Sequence, residues 1–280
     1  MSNLRSESVS PQVRDVSTDD PLVMSNAAPL ILSLDTATEV RSVAIVEGER
    51  VLASTHGRVQ KENSAGVLRD IEQAVSMSGV KLGDIELFAV ANGPGSFTGL
   101  RSGLATIKAF ASTLNRPVVG VPTLHAIASA CGMTLQPVLA ALPAGRGEVF
   151  AQFLSVDEAN RVKELSPPFH VSPANLLEKA TKWESNLKWA GAGAHAHLGV
   201  ISAFAKDTGI IWRDEVSNVE GSGGERKVVW TLAPPCESFA ERIAALGLIY
   251  FRRGDAIVAG DLQALYVRLS DAELNEKCRG

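Results

Sequence analysis

A chain of 280 residues, 45% of them hydrophobic, can bury one large core or two modest ones. Lys and Arg total 27 against 31 Asp and Glu, a formal charge of −4, which excludes the basic excess of a dedicated nucleic-acid binder. Cys131, Cys236 and Cys278 form no CxxC pair and are odd in number. That excludes a disulfide framework or zinc knuckle and suits a reducing, cytoplasmic setting. No apolar run is long enough to span a bilayer, so no membrane partner is expected. Aromatic residues are scarce and small ones frequent, a mix that fits closely packed α/β layers.

Residues 1–29 are polar, rich in Ser, Asp and Pro, and lack a signal-peptide core; they are expected to be a disordered extension. Leu30 to Leu34 is an apolar run ending at Asp35, the pattern of a buried strand that delivers an acid to its C-terminal end. Ser42 to Val46 and Arg50 to Thr55 follow at hairpin spacing around Glu47-Gly48-Glu49. Asn63 to Met77 carries Val67, Leu68, Ile71, Ala74 and Val75 at helical spacing, with Ser64 as N-cap and Gly79 as stop. Then come a strand over Leu87 to Ala91, a Gly-Pro-Gly turn, a helix from Thr98 to Leu114, a strand over Pro117 to Val121 and a helix over Leu124 to Cys131.

From Gln136 the order begins again. Strands are expected at Val138 to Leu142, Glu148 to Val156 and within Val162 to Val171. A helix (Pro173 to Trp183), a strand (Leu187 to Ala190), the glycine turn Gly191-Ala192-Gly193 and a helix (Ala196 to Lys206) follow. Arg213 to Lys227 reads as a mobile loop, and Ser238 to Arg253 as an amphipathic helix. The expected domains are therefore a first lobe, 30–134, and a second, 135–280, holding the loop at 213–227 and the terminal helix. The class is α/β, with duplicated βββαβα lobes and mixed sheets. This order of elements resembles the two-lobed actin-like ATPase (ASKHA) fold.

Three turns bear on chemistry. Asp35-Thr36-Ala37-Thr38 could hold a phosphate-bound metal, as the resembling Asp-x-Gly-x-Thr turn does in nucleotide-binding members of that superfamily. Here Ala37 replaces the glycine, and its methyl group obstructs close approach. The other reading makes Asp35 and Thr36 caps of the turn between the first two strands. Asp35, Thr36 and Thr38 thus stand as a vestigial nucleotide site. In the second lobe an acid is expected near Pro143, and none is present. Gly191-Ala192-Gly193 could approach an adenosine. The third turn is Gly93-Pro94-Gly95-Ser96, whose glycines permit angles closed to other residues. Ser96 or Thr98 can cap the helix that follows, but no Lys stands in a Walker A position. Gly99 and Gly103, four apart on that helix, admit a second backbone. Two uses are open: an internal contact with the Asn63–Met77 helix, or a face left for a partner.

The run from Asn92 to Gly103, NGPGSFTGLRSG, is similar to the most specific signature of TsaB-like (YeaZ-like) proteins. Leu30 to Thr38 resembles the opening strand of that family, and Pro122-Thr123-Leu124 continues the signature. Arg146-Gly147-Glu148-Val149-Phe150, with one residue rather than two between Arg and Glu, resembles its Arg-x-x-Glu-Val-Tyr motif, and Tyr266-Val267-Arg268 its terminal Tyr-Leu-Arg. The resemblance implies a scaffold subunit for threonylcarbamoylation of adenosine 37 in tRNAs reading ANN codons. It implies pairing with a TsaD-like subunit that carries metal and transfers the group, with a TsaE-like ATPase joining, and a homodimer in isolation. ATP or ADP and tRNA would be bound by the complex rather than by this chain alone. Carried over, Asn63, Val67, Leu68, Ile71, Val75, Thr98, Gly99, Gly103 and Ile107 would be partner contacts. Three departures stand out: Asn63-Ser64 for the usual His-Ser or His-Thr, Pro143-Ala144 for an acid, and Ala264-Leu265 where a proline usually precedes the tyrosine. They bear on nucleotide binding and leave the pairing helices unaffected.

Two other functions compete. An actin-like ATPase or kinase needs two acid-bearing turns, and one is missing. A glycoprotease-type peptidase needs a metal or nucleophile constellation. His195 and His197 have the wrong spacing for a helical zinc motif, while His56, His125 and His170 are isolated.

Overall fold

A computed structural model describes residues 28–58, 65–183, 185–214 and 228–267. The expected N-terminal extension, Asn63, the Ser64 cap, most of the 213–227 loop and Arg268 lie outside them.

The first lobe is a five-stranded sheet in the order β3-β2-β1-β4-β5, built from β1 (Leu30–Asp35), β2 (Val40–Glu47), β3 (Arg50–Arg58), β4 (Leu87–Gly93) and β5 (Val118–Pro122). β1, β2 and β3 form an antiparallel meander, while β4 and β5 run parallel to β1. Helix α1 (Ala65–Ser78) follows β3, α2 (Phe97–Leu114) follows β4, and α3 (Thr123–Ala130) follows β5. Gly79 ends α1 in a left-handed conformation, φ 75°.

The second lobe repeats the scheme with β6 (Val138–Gly145), β7 (Glu148–Val156), β8 (Val162–Glu164), β9 (Phe169–Val171), α4 (Pro173–Lys182), β10 (Leu187–Ala190), α5 (Ala192–Ala196), α6 (Leu198–Asp207), β11 (Ile211–Asp214), β12 (Val229–Leu232) and α7 (Ala240–Arg253). Its sheet runs β11-β12-β10-β6-β7-β8, with β9 also on β7. Strands β6, β7, β8, β10 and β12 thus occupy the places of β1 to β5. The order and hand of pairing agree in both lobes, which establishes the duplicated two-lobed α/β fold.

Several details depart from expectation. Val162 to Val171 forms two three-residue strands rather than one. The helix expected from Ala196 is two helices, broken at His197, and Gly193 lies inside the first. Arg213 and Asp214 belong to β11, which pairs with β12; neither strand was expected. Helix α7, expected with the second lobe, lies against β1, β2, β4 and β5 of the first sheet.

The chain is layered around that crossing. α1 and α2 cover the outer face of the first sheet over Leu32, Leu34, Val43, Ile45 and Val90. α3 and α7 sit between the sheets, where Ala44, Ala89, Ala126, Ala140 and Ala244 line a shared core. Strands with both faces covered read as largely apolar runs, which is why β1 is legible as such. Small residues set the spacing of this middle layer: a Cβ on Gly247 of α7 would stand 2.6 Å from Ala89 Cβ.

Two buried hydroxyls fix the first turn of α7. Ser33 Oγ donates to Ala240 O at 2.8 Å, and Ala240 N–H donates to Ser42 Oγ at 3.1 Å. The first amides of a helix have no partner within it, so Ser42 satisfies a buried orphan. Ser42→Ala is expected to lower stability by about 1–3 kcal/mol, read from the urea midpoint. An unchanged midpoint would show that the amide finds another partner.

Candidate functional site

The three turns singled out in the sequence meet at the junction of the lobes. β1 delivers Asp35 fully buried. Its Oδ1 accepts the Ala37 N–H at 2.8 Å and its Oδ2 accepts the Thr38 hydroxyl at 2.6 Å. The carboxylate therefore closes its own turn, a local pattern that short Asp side chains favour. Burial pushes the Asp35 carboxyl up to about 6, against the opposing pull of its bonds to Thr38 and Ala37.

That turn is pressed into the start of α2. Thr36 Oγ1 donates to Gly99 O at 2.7 Å. A Cβ on Gly99 would overlap the Thr36 carbonyl oxygen, and one on Gly103 would overlap Thr36 Oγ1. The glycine spacing thus serves an internal contact, with the Asp35 turn rather than with α1. Ser96 N–H donates to Ala37 O at 2.8 Å, and a Cβ on Gly95 would lie 2.8 Å from Ala37 Cβ. Gly93 takes φ 119°, the Gly93–Pro94 peptide is cis, and Ser96 Oγ caps α2 by accepting Gly99 N–H at 3.2 Å.

A cleft opens beside these turns. Its outer part, about 560 Å³, is lined by Ala37, Thr38, Glu39, Gly95, Ser96 and Pro143 among others. A more apolar part, about 300 Å³, reaches Ile127, Ala190, Gly191, Pro234 and Phe239, with His195, Cys131 and Cys236 on its wall. The actin-like fold implies a metal-bound nucleotide here, and the side chains present do not fit one. Both Asp35 oxygens are engaged, and Pro143 and Ala144 stand on the opposite hairpin. Cβ atoms on Gly191 and Gly193 would strike the Ala141 backbone, so these glycines serve the packing of α5 on β6. Among the described residues no group of three His, Cys, Asp or Glu could hold a metal ion.

The expected partner-contact residues separate sharply. Val67, Ile71 and Ile107 are core residues, and Gly103 is buried under Thr36. They are not available to a partner, a correction to the sequence reading with a simple cause: a helix on a sheet buries its strongest apolar stripe. Gly99 is taken by the same turn, and Val75 is half-buried against the outer core. Leu68 remains 50% exposed and Thr98 is exposed. Exposed beside them stand Met77 on α1 and Arg101, Ala105 and Ala109 on α2.

Sequence reasoning missed the half-buried pair of Arg41 on β2 with Asp70 on α1. Gly66 makes room for it, since a Cβ there would stand 2.8 Å from the guanidinium. It also missed Glu39 on the cleft wall. Among the described residues no histidine is hydrogen-bonded to Ser96. Ser96 Oγ is the α2 cap, while His125 and His170 contact Glu164 and Glu148 at 3.1 and 2.9 Å, away from the cleft lining.

Two lobes of one topology, joined by exchanged helices around a cleft, define an actin-like fold, here with the Asp35 turn packed tightly against α2. A model of the TsaD family, tRNA N6-adenosine threonylcarbamoyltransferase, matches residues 57–211. The TsaB protein of tRNA threonylcarbamoyladenosine biosynthesis from Escherichia coli K12 is 37% identical over 188 residues, 66% of this chain and 78% of that protein. The Haemophilus influenzae TsaB is 33% identical over 123 residues, 43% of this chain and 51% of that one. The solved structure of YeaZ from Pseudomonas aeruginosa superposes with a TM-score of 0.63 at 22% identity, covering 85% of this chain and 99% of that one. The chain belongs to the TsaB (YeaZ) family, and with it to threonylcarbamoyladenosine biosynthesis. No helix among the described residues is long and apolar enough to cross a membrane.

Two outcomes follow from the buried turn. The folded chain holds a proton on Asp35 between about 3.8 and about 6 that the unfolded chain has released. The contribution of Asp35 to stability is therefore greatest below that window and falls as pH rises through it, by up to about 3 kcal/mol. Asp35→Asn should flatten this part of a pH series of denaturation curves. Gly103→Ala should destabilise by about 1–3 kcal/mol through overpacking. Thr36→Ala in the same chain should recover part of that loss, because it removes the colliding hydroxyl. Strictly additive effects in this cycle would refute the contact.

Proposed function

We propose that this chain is a non-catalytic scaffold that pairs, through the outward face of α1 and α2, with a TsaD-like transferase subunit. That subunit carries threonylcarbamoyl transfer to adenosine 37 of ANN-reading tRNAs, and a TsaE-like ATPase joins the pair. In isolation the same face makes a homodimer. Nucleotide and tRNA are held by the complex rather than by this chain alone.

The observation that carries this reading is the contrast between the filled turn and the open helix face. Asp35, Thr36, Gly95 and Gly99 spend their contacts on one another. Outside them, Leu68 and Met77 on α1 are 50% and 58% exposed, and the small side chains Ala105 and Ala109 are exposed on α2. Small residues let a partner helix approach closely, and flanking apolar side chains supply contact area. The TsaD-family match spans the segment holding α1 and α2. That kinship suits a pseudo-symmetric pair of helix hairpins. The chain's charge of −4 also favours a subunit other than this one as the main phosphate contact.

Ala105→Arg tests the face without touching the core. It should abolish co-elution with the TsaD-like subunit and leave the melting midpoint unchanged. In a reconstitution with that subunit, the TsaE-like ATPase and a threonylcarbamoyl-AMP synthase, tRNA modification should fall to the level seen without this chain. Normal pairing by the variant, or full modification with the chain omitted, would remove the scaffold role.

A further inference from the structure

After α7 the chain returns along the first lobe as a strap. Ile257 and Val118 exchange two backbone bonds of 2.9 Å. Ala259 and Leu262 are buried in the outer core of that lobe. Leu265 N–H then donates to Asn92 O at 2.6 Å, a bond that a proline at this position would lack. A Cβ on Gly93 would overlap the Leu265 carbonyl oxygen. The strap is thus seated in the Gly-Pro-Gly corner, and the absence of a side chain at Gly93 is what admits it.

The seat delivers Tyr266 to Phe97, the first residue of α2, with ring centroids 5.8 Å apart at 41°. Arg101, one turn further along, lays its guanidinium 3.9 Å from the centre of the same Phe97 ring. Although packed together, the group faces water: Phe97 is 39% exposed, Tyr266 50%, and Arg101 is exposed. Arg101 makes no ion pair with any described residue.

Aromatic rings beside an arginine are the side chains that dominate binding energy at interfaces. Rings already fixed by a backbone bond lose little freedom on binding. The cluster is continuous with Thr98 and Ala105 on the exposed face of α2. We infer that Phe97, Arg101 and Tyr266 form an anchor site on this face, built jointly by the signature motif and the C-terminal strap. Its occupant is the paired subunit proposed above, on which reading this rests, and the chemistry it takes is an apolar side chain next to a carboxylate. The rings accept the first; the N–H edge of Arg101, left to solvent above the ring, accepts the second. A nucleic-acid strand fits less well, because Arg101 is the one cation of the cluster among the described residues.

Titration calorimetry of the full chain with the TsaD-like subunit tests this. Tyr266→Ala should weaken affinity about tenfold or more at an unchanged melting midpoint, and Tyr266→Phe should keep it. Arg101→Glu should weaken it further, with most of the loss at low salt. Wild-type affinity in Tyr266→Ala, with Ala105→Arg still inactive, would overturn the anchor and leave the pairing reading standing. Normal binding by Ala105→Arg would instead remove the pairing reading itself. If Tyr266→Ala lost only tRNA retention by the complex, with subunit affinity intact, the occupant would be RNA and the inference wrong.

Discussion

The contact of Thr36 with the first two turns of α2 fixes the rest of the junction. Without Cβ atoms at Gly99 and Gly103, the helix offers a groove that takes the Thr36 carbonyl and hydroxyl. The Thr36 bond to Gly99 O then holds the turn at the depth where Ala37 meets Gly95 and Ser96. Once seated there, Asp35 is cut off from water and satisfies its oxygens on its own turn. A carboxylate so engaged has little left for a metal-bound phosphate, whatever the superfamily does with the same position. The collision that a single methyl group would cause exceeds what local relaxation absorbs cheaply in a packed interior.

The middle layer obeys the same economy of small side chains. α3 and α7 lie between two sheets, so each touches neighbours on two sides. Alanines there shorten the distance between layers, and Gly247 brings α7 against Ala89. This accounts for a composition rich in small residues and poor in aromatic ones. The tryptophans lie elsewhere: in the outer core of the second lobe Phe204 stacks on Trp230, and Trp189 is tilted against the same ring. The Ser33 and Ser42 bonds to Ala240 then set the register of the returning helix, which apolar packing alone would leave free to slide.

Much of the fold was legible because burial writes itself into local pattern. β1 is covered on both faces and appears as a short apolar run, and β10 has the bounds read from the sequence. β8 and β9, three residues each, are too short to show a period, and β11 and β12 flank a glycine-rich stretch that reads as loop. The site was half legible. The spacing of Gly99 and Gly103 announces a close approach, but nothing in it names Thr36, which lies 63 positions away. The Ser33 bond to Ala240 spans 207 positions and leaves no local trace at all.

The stripe of Val67, Ile71 and Ile107 shows why a periodic pattern misleads about partners. Periodicity reports the face a helix buries, and on an isolated helix that face could meet either a partner or its own sheet. Here the sheet takes it. The exposed side chains left on the two helices are few and unremarkable in sequence: Leu68 and Met77 on α1, Ala105 and Ala109 on α2. At the start of α2 stands a fixed aromatic group, completed by the strap that follows α7. The signature motif and the terminal tyrosine motif therefore share one physical reason to accompany each other: the first makes the seat, and the second fills it.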